Sequence, residues 1–272
     1  MKPILCVTSD IDNSYNEFGF LSKIKDKRKI KLISNEYIKE LDIKLTSVRL
    51  PPNFNKSAYL NNLNYVKKIC KCEGVQLSLK TLRPFDYNYF NLFQKRFFAF
   101  TVIKSMQLML RVRNKSLKNC CIVVCDVSDM INYNIIVELA KRSKYIVFLS
   151  WDLVKARKLA DYIIANFGVS PIVTNDESYA IKIADFIVSS ADYEFSPGKL
   201  VWLLDNSISQ AKNNISVNDV SYNVPWNTFE VGFSMELIGA ILCQMQEDDI
   251  EKALKYNGIY LKEIKFNNNV IC

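Results

Sequence analysis

CCIVVCDVSDMINYN, residues 120–134, decides the fold. Its first half is an almost unbroken apolar run ending at Cys125, and its second half opens a pattern of helical spacing from Ile131. Between them lie Asp126, Ser128 and Asp129. A strand, a short turn and a helix make the opening of a βαβ unit. In nucleotide-binding sheets that turn carries glycines, which let the backbone approach a phosphate. This turn has none. No glycine occurs between Gly74 and Gly168, so no shift of register supplies one. Either a ligand site is built here without glycine, or the fold has lost its ligand.

The alternation continues downstream. Residues 131–142 predict a helix, 145–150 a strand, and 153–168 a helix closed by Gly168. Short strands are then expected at 171–175, 185–191 and 199–206, with a short helix at 177–184. Short β-branched runs separated by helices specify a parallel sheet covered on both faces. With right-handed crossovers this is a doubly wound, Rossmann-type α/β domain. Upstream, strands are expected at 3–9, 43–52 and 75–82. An amphipathic helix at 57–74 carries Leu60, Leu63, Val66 and Ile69 three apart and ends at Gly74. That gives a smaller N-terminal α/β domain over 1–88. A connecting helix is expected within 89–117, the Rossmann-type domain over 118–226, and a closing segment over 227–272. The closing segment has a helix at 229–246 and returns to the interdomain region.

Composition narrows the chemistry. The chain has 272 residues, 49% hydrophobic and 24% charged, a globular balance. It contains no histidine, which excludes Ser-His-Asp and Cys-His catalysis and histidine metal sites. Asp10 follows a short apolar run, so no secretory segment is expected; the chain reads as cytoplasmic and its eight cysteines as reduced thiols. The apolar helix after residue 89 is broken by Lys95, Arg96 and Lys104, too soon to span a membrane. Neither Cys70 with Cys72 nor Cys120, Cys121 and Cys125 has zinc-site spacing, and no metal is expected. On a strand Cys121 and Cys125 share a face, with Cys120 opposite. The net charge is +8, and the run KIKDKRKIK, bounded by Lys23 and Lys31, holds six positive residues and one acid. A solvated hairpin tip is favoured over a nucleic-acid patch for that run.

The segment ELAKRSKYIVFLSWDLVKARKLADYI, with its Lys155-Ala156 pair, and the later DFIVSSAD at 185–192 resemble the shikimate-dehydrogenase-like and predicted amino-acid-dehydrogenase group. The resemblance covers about 118–206. It implies an NAD(P)-type cofactor domain, in which the end of the DFIVSSAD strand lies near the cofactor's ribose and nicotinamide. The chain departs from the pattern where it matters. The fingerprint glycines are expected near Val127, Asp129 and Asn132, and Asp129 would set a carboxylate against an anion at the helix N-terminus. The ribose-binding acid is replaced by Ser150, followed by Trp151, and the next arginine is Arg157.

Two principal readings result. In the first, an oxidoreductase-like protein with a degenerate NAD(P)-type domain binds a nucleotide or related small molecule in the interdomain cleft. Its contacts are Ser128, Asp129, Asn132, Ser150, Trp151, Ser189 and Ser190. Lys80, with Arg83 on a loop facing that cleft, and Asp205 at a strand end are the candidate catalytic groups. Tyr222, Pro225 and Trp226 are expected to line the cleft, and Trp202 to be core. In the second, the protein is a non-catalytic scaffold or regulatory binding protein, a pseudoenzyme with a protein partner or a second copy of itself. That reading expects Ser128 or Asp129 to cap the helix from within, and Met130 and Trp151 to fill the crevice. A third, weaker reading binds an anionic polymer or surface through the Lys23 to Lys31 run.

Overall fold

The structure is a computed structural model and describes residues 1–70, 74–209, 213–226, 233–267 and 269–272. Chain contacts divide it into two units: 1–94 with 223–260, and 95–222 with 261–272.

The first unit opens with β1 (Ile4–Ser9), α1 (Phe20–Lys29), β2 (Lys31–Ile38), β3 (Ile43–Leu50), α2 (Lys56–Ile69), β4 (Gln76–Lys80) and the single turn α3 (Arg83–Asp86). Its sheet runs β2-β3-β1-β4, with β1 parallel to β3 and β4, and β2 antiparallel to β3. β2 was not anticipated. The run from Lys23 to Lys31 is not a hairpin tip: it forms most of α1 and leads into β2. Its one acid explains why. Asp26 is buried and accepts hydrogen bonds from Tyr15 Oη (2.5 Å), Asn53 Nδ2 (3.0 Å) and Asn62 Nδ2 (2.9 Å). A buried carboxylate so well satisfied anchors the helix. The flanking lysines fold over aromatic rings, Lys29 4.4 Å from the Tyr15 centroid and Lys27 4.8 Å from that of Tyr65. The helix of α2 stops at Ile69, short of the expected Gly74, and Cys72 lies outside the described residues.

α4 (Leu92–Val112) begins the passage into the second unit. It is followed by β5 (Cys121–Cys125), α5 (Met130–Ala140), β6 (Tyr145–Leu149), α6 (Leu153–Phe167), β7 (Ile172–Thr174) and α7 (Glu177–Ile183). Next come β8 (Phe186–Ser189), β9 (Leu200–Leu203), β10 (Ile215–Val217) and β11 (Asp219–Asn223). The six-stranded sheet runs β10-β9-β8-β5-β6-β7, and the strand pairs are parallel throughout. Numbered from β5, the order is 3-2-1-4-5-6, the doubly wound Rossmann order, which reverses direction between β5 and β8. The expected α/β class and parallel sheet are therefore present.

Alternation assigns the two faces. Cys121, Val123 and Cys125 point with Val147, Leu149 and Val201 into a cluster closed by Ala180 and Ile181 of α7. Trp202 points the other way. It is fully buried, as expected, donates to Ser105 Oγ of α4 at 2.9 Å and meets Phe98 edge-on. α6 ends where its sequence says, with Gly168 left-handed at φ 68° and its N–H on Ile164 O. Tyr222 is not a cleft residue. It is 1% exposed, its hydroxyl is 2.7 Å from Thr101 Oγ1, and its ring packs on Phe97.

Beyond β11 lie β12 (Phe233–Ser234), α8 (Met235–Leu242), α9 (Ile250–Tyr256), β13 (Tyr260–Phe266) and β14 (Asn269–Val270). The expected closing helix starts at Met235 rather than 229, and residues 229–232 lie outside the described residues. Ser234 caps it by accepting from Leu237 N. β13 carries Phe266 into the second unit's core. Among the described residues no helix is long and apolar enough to cross a membrane.

Candidate functional site

The turn between β5 and α5 sits at the carboxyl edge of the sheet, beside the strand-order reversal. Ligands of open α/β folds bind at such a switch point. Asp126 makes the bend, in the left-handed region at φ 54°. Aspartate tolerates that conformation better than most side chains. This is why the turn forms without glycine, and the residue doing it lies one position before Val127, where the first glycine was expected. Asp126 Oδ1 accepts from Tyr193 Oη at 3.0 Å, while Oδ2 is buried with no hydrogen-bond partner among the described residues. Burial pushes the Asp126 carboxyl above its ordinary range. The Tyr193 hydrogen bond opposes that shift and the neighbouring Asp129 carboxylate adds to it. The Tyr193 phenol is pushed up by burial and by the same Asp126.

Asn132 stands where the third glycine was expected, and it is fully buried. Its Nδ2 donates to Cys125 O (3.0 Å) and Asp126 O (2.8 Å), with Ser190 Oγ at 3.3 Å. It braces the end of β5 against the start of α5 and touches Ser190 at the end of β8. Its Oδ1 is buried without a partner among the described residues.

The helix is not capped from within by its own acid. Asp129 is the N-cap of α5, extended at φ −70° and ψ 134°, yet its side chain accepts no cap hydrogen bond. The amide it would have capped, Asn132 N–H, is turned to the Asp129 carbonyl at 3.0 Å. Nor does Ser128 cap: its hydroxyl lies 3.3 Å from Ser150 Oγ. The first-turn N–H groups of Met130 and Ile131 have no intrahelical acceptor. The crevice is not plugged either, since Met130 is 67% and Trp151 72% exposed. Both structural expectations of the scaffold reading, an internal cap and apolar plugs, are therefore corrected.

The next crossover turn differs. Asp152, N-cap of α6, accepts from Lys155 N at 3.0 Å and pairs with Lys155 Nζ at 3.0 Å. The Lys155 backbone N–H and ammonium hold the Asp152 carboxyl below its ordinary range. Ser150 is buried and accepts from Asp152 N at 3.2 Å.

The remaining residues divide. Ser189 is buried and closes a local turn, donating to Ala191 O at 2.7 Å and accepting from Ala191 N at 3.3 Å. Ser128 pairs with Ser150 and Asn132 with Ser190 at the turn, while Asp129 and Trp151 are exposed. Asp205 follows β9 and is engaged by Ser207 N (2.8 Å) and Ser207 Oγ (2.7 Å). Lys80 belongs to the first unit, as the last residue of β4, in register with Thr8. Arg83 is not on an open loop: it is 3% exposed and meets Glu236 Oε1 at 3.4 Å. Burial pushes the Cys121 and Cys125 thiols up, opposite to what a nucleophile requires. The Asp126–Tyr193 pair was missed by sequence reasoning. The available signal was an aspartate directly after the strand, where a left-handed residue was needed.

No protein-family model and no curated protein sequence matches the chain. Among solved structures it is similar to a shikimate dehydrogenase in complex with NADP+. That likeness has 14% identity, 96% of this chain and 91% of that one covered, and a TM-score of 0.41. It is also similar to L-tryptophan dehydrogenase from Nostoc punctiforme, with 10% identity, 70% of this chain covered and a TM-score of 0.30. The chain spans 56% of the latter's length. The fold assignment rests on the strand order, not on these likenesses.

Proposed function

We propose that the second unit is an oxidoreductase-like Rossmann domain whose glycine fingerprint has degenerated. It binds a nucleotide or related small molecule at the turn from β5 to α5, with NAD(P) as the first cofactor to test. The observation that carries the reading is the open N-terminus of α5 at the strand-order reversal. Its acid does not cap it and its bulky neighbours point into solvent. Main-chain N–H groups of Met130 and Ile131 are the donors for a phosphate, with the Ser128 hydroxyl beside them. Asp126 Oδ2 and Asn132 Oδ1 lie buried behind the turn with no hydrogen-bond partner among the described residues.

A second reading, a non-catalytic binding protein, is favoured by one feature. The acid–base groups at the turn are carboxylates and a phenol, and the Asp129 carboxylate stands near where a phosphate would lie. Calorimetric titration with NADH and NADPH, with ATP as control, separates the two. Micromolar binding of a reduced nicotinamide cofactor, abolished by Ser128→Trp, is expected. No binding at millimolar ligand would remove the dehydrogenase-like reading and leave the second.

A further inference from the structure

The first unit holds a cavity of about 390 Å³ between the β2–β3 hairpin and the last turn of α2. That volume lies within the range of small-ligand pockets. The strand register grades its floor. Directly opposed residues share a face, and β2 and β3 present three such pairs: Leu32 with Val48, Asn35 with Thr46, and Tyr37 with Lys44. The floor thus passes from apolar to polar to cationic over residues 48 to 44, roughly 14 Å of strand. At the apolar end Val66 and Ile69 of α2 form the wall, and Leu32 and Ile69 remain 60% and 53% exposed. At the polar end Thr46 Oγ1 donates to Asn35 Oδ1 at 2.9 Å, so the Asn35 amide nitrogen is the group left to donate. The acid nearest Lys44 in the hairpin, Asp42, accepts from the Tyr37 hydroxyl. Glu36 stands opposite Leu45 and so belongs to the other face of the sheet.

An apolar trough ending in a lysine and amide donors is complementary to an amphipathic anion. We propose that this cavity binds a medium-chain carboxylate, its chain on Leu32, Val48, Val66 and Ile69 and its head at Lys44 and Asn35. The site lies wholly within the first unit and is independent of the nucleotide reading.

The protein is titrated calorimetrically with hexanoate, octanoate and decanoate below their micelle concentrations, and with 1-octanol. Affinity should rise about fourfold per methylene, equivalent to about 0.8 kcal/mol. Lys44→Met should weaken octanoate about two- to fivefold, the span of an exposed ion pair, and leave 1-octanol unchanged. Ile69→Asp, at an exposed position of α2, should weaken both ligands at least tenfold without changing the melting temperature in their absence. Absence of octanoate binding at millimolar concentration, equal affinity across the chain lengths, or octanoate binding indifferent to Lys44→Met would each overturn the proposal.

Discussion

Each unit buries a carboxylate beyond a parallel strand of its sheet, and the two are treated differently. Asp86 closes α3 and is fully buried; Tyr59 Oη (2.7 Å) and Thr81 Oγ1 (2.6 Å) donate to one oxygen and Thr81 N (2.7 Å) to the other. Asp126 follows β5, receives Tyr193 on one oxygen and has no partner on the other. Burial raises both carboxyls, Asp86 from 3.8 to about 6. The first is a closed structural knot, in which every lone-pair direction that matters is engaged. The second is an open one, at a switch point, beside a helix start without its own cap. Burial alone does not distinguish the two acids; completeness of hydrogen bonding does.

The same contrast repeats at finer scale between Asp129 and Asp152, two aspartates in the same N-cap role on successive helices. Predictions that test these contrasts differ in size. The largest effect is expected for Asn132→Leu, which removes the side-chain donor from Cys125 O and from Asp126 O, the latter keeping Asp129 N at 2.8 Å. At about 1–3 kcal/mol for an orphaned carbonyl, urea unfolding should show a loss of about 1–3 kcal/mol. A loss below about 1 kcal/mol would mean that Asn132 is not the brace of the turn.

The Asp86 knot makes a pH prediction. Its folded-state value lies above the ordinary one, so the folded protein favours the protonated acid. The contribution is whole below pH 3.8 and is lost as pH rises towards about 6. At about 1.36 kcal/mol per unit the loss is up to about 3 kcal/mol. Thermal melts from pH 4 to 6.5 should show a shallower decline for Asp86→Asn than for the parent chain; identical slopes would contradict the assignment. Smaller still, Asp152→Ala should cost about 1 kcal/mol, the worth of a cap. Asp129→Ala, with no cap to lose, should stay within about 0.5. Equal costs would erase the distinction between the two helix starts. Finally, Asp126→Asn keeps an acceptor and removes a negative charge, so nucleotide affinity should tighten two- to fivefold. The gain should shrink at low pH, where the parent carboxyl is itself protonated; weakened binding would mean that the negative charge favours the ligand rather than opposing it.

Much of this was legible in the sequence, and the parts that were not share a cause. Short β-branched runs between helical patterns specified β5 to β9, because burial on both faces imposes apolar continuity. β2, reading KLISNEYI, escaped because it is a mostly exposed edge strand behind a basic run, where no burial enforces a pattern. β10, three residues long, was too short to register. At the turn, the loss of glycine was visible but its remedy was not. Whether Asp126 adopts a left-handed bend is a backbone fact, and the sequence reading placed the first glycine one residue late. Asp129 and Asp152 look alike as letters. Only the direction of one amide, Asn132 N–H towards a carbonyl rather than a carboxylate, makes one helix open and the other closed.

In the function proposed, the β5–α5 turn receives the ligand, while the β6–α6 turn is already satisfied by its own side chain. Amide hydrogen exchange with and without saturating NADPH tests it directly. The account predicts slowed exchange at residues 127–132 with residues 153–156 unchanged. Equal protection at both helix starts, or none at the first with millimolar NADPH, would contradict it.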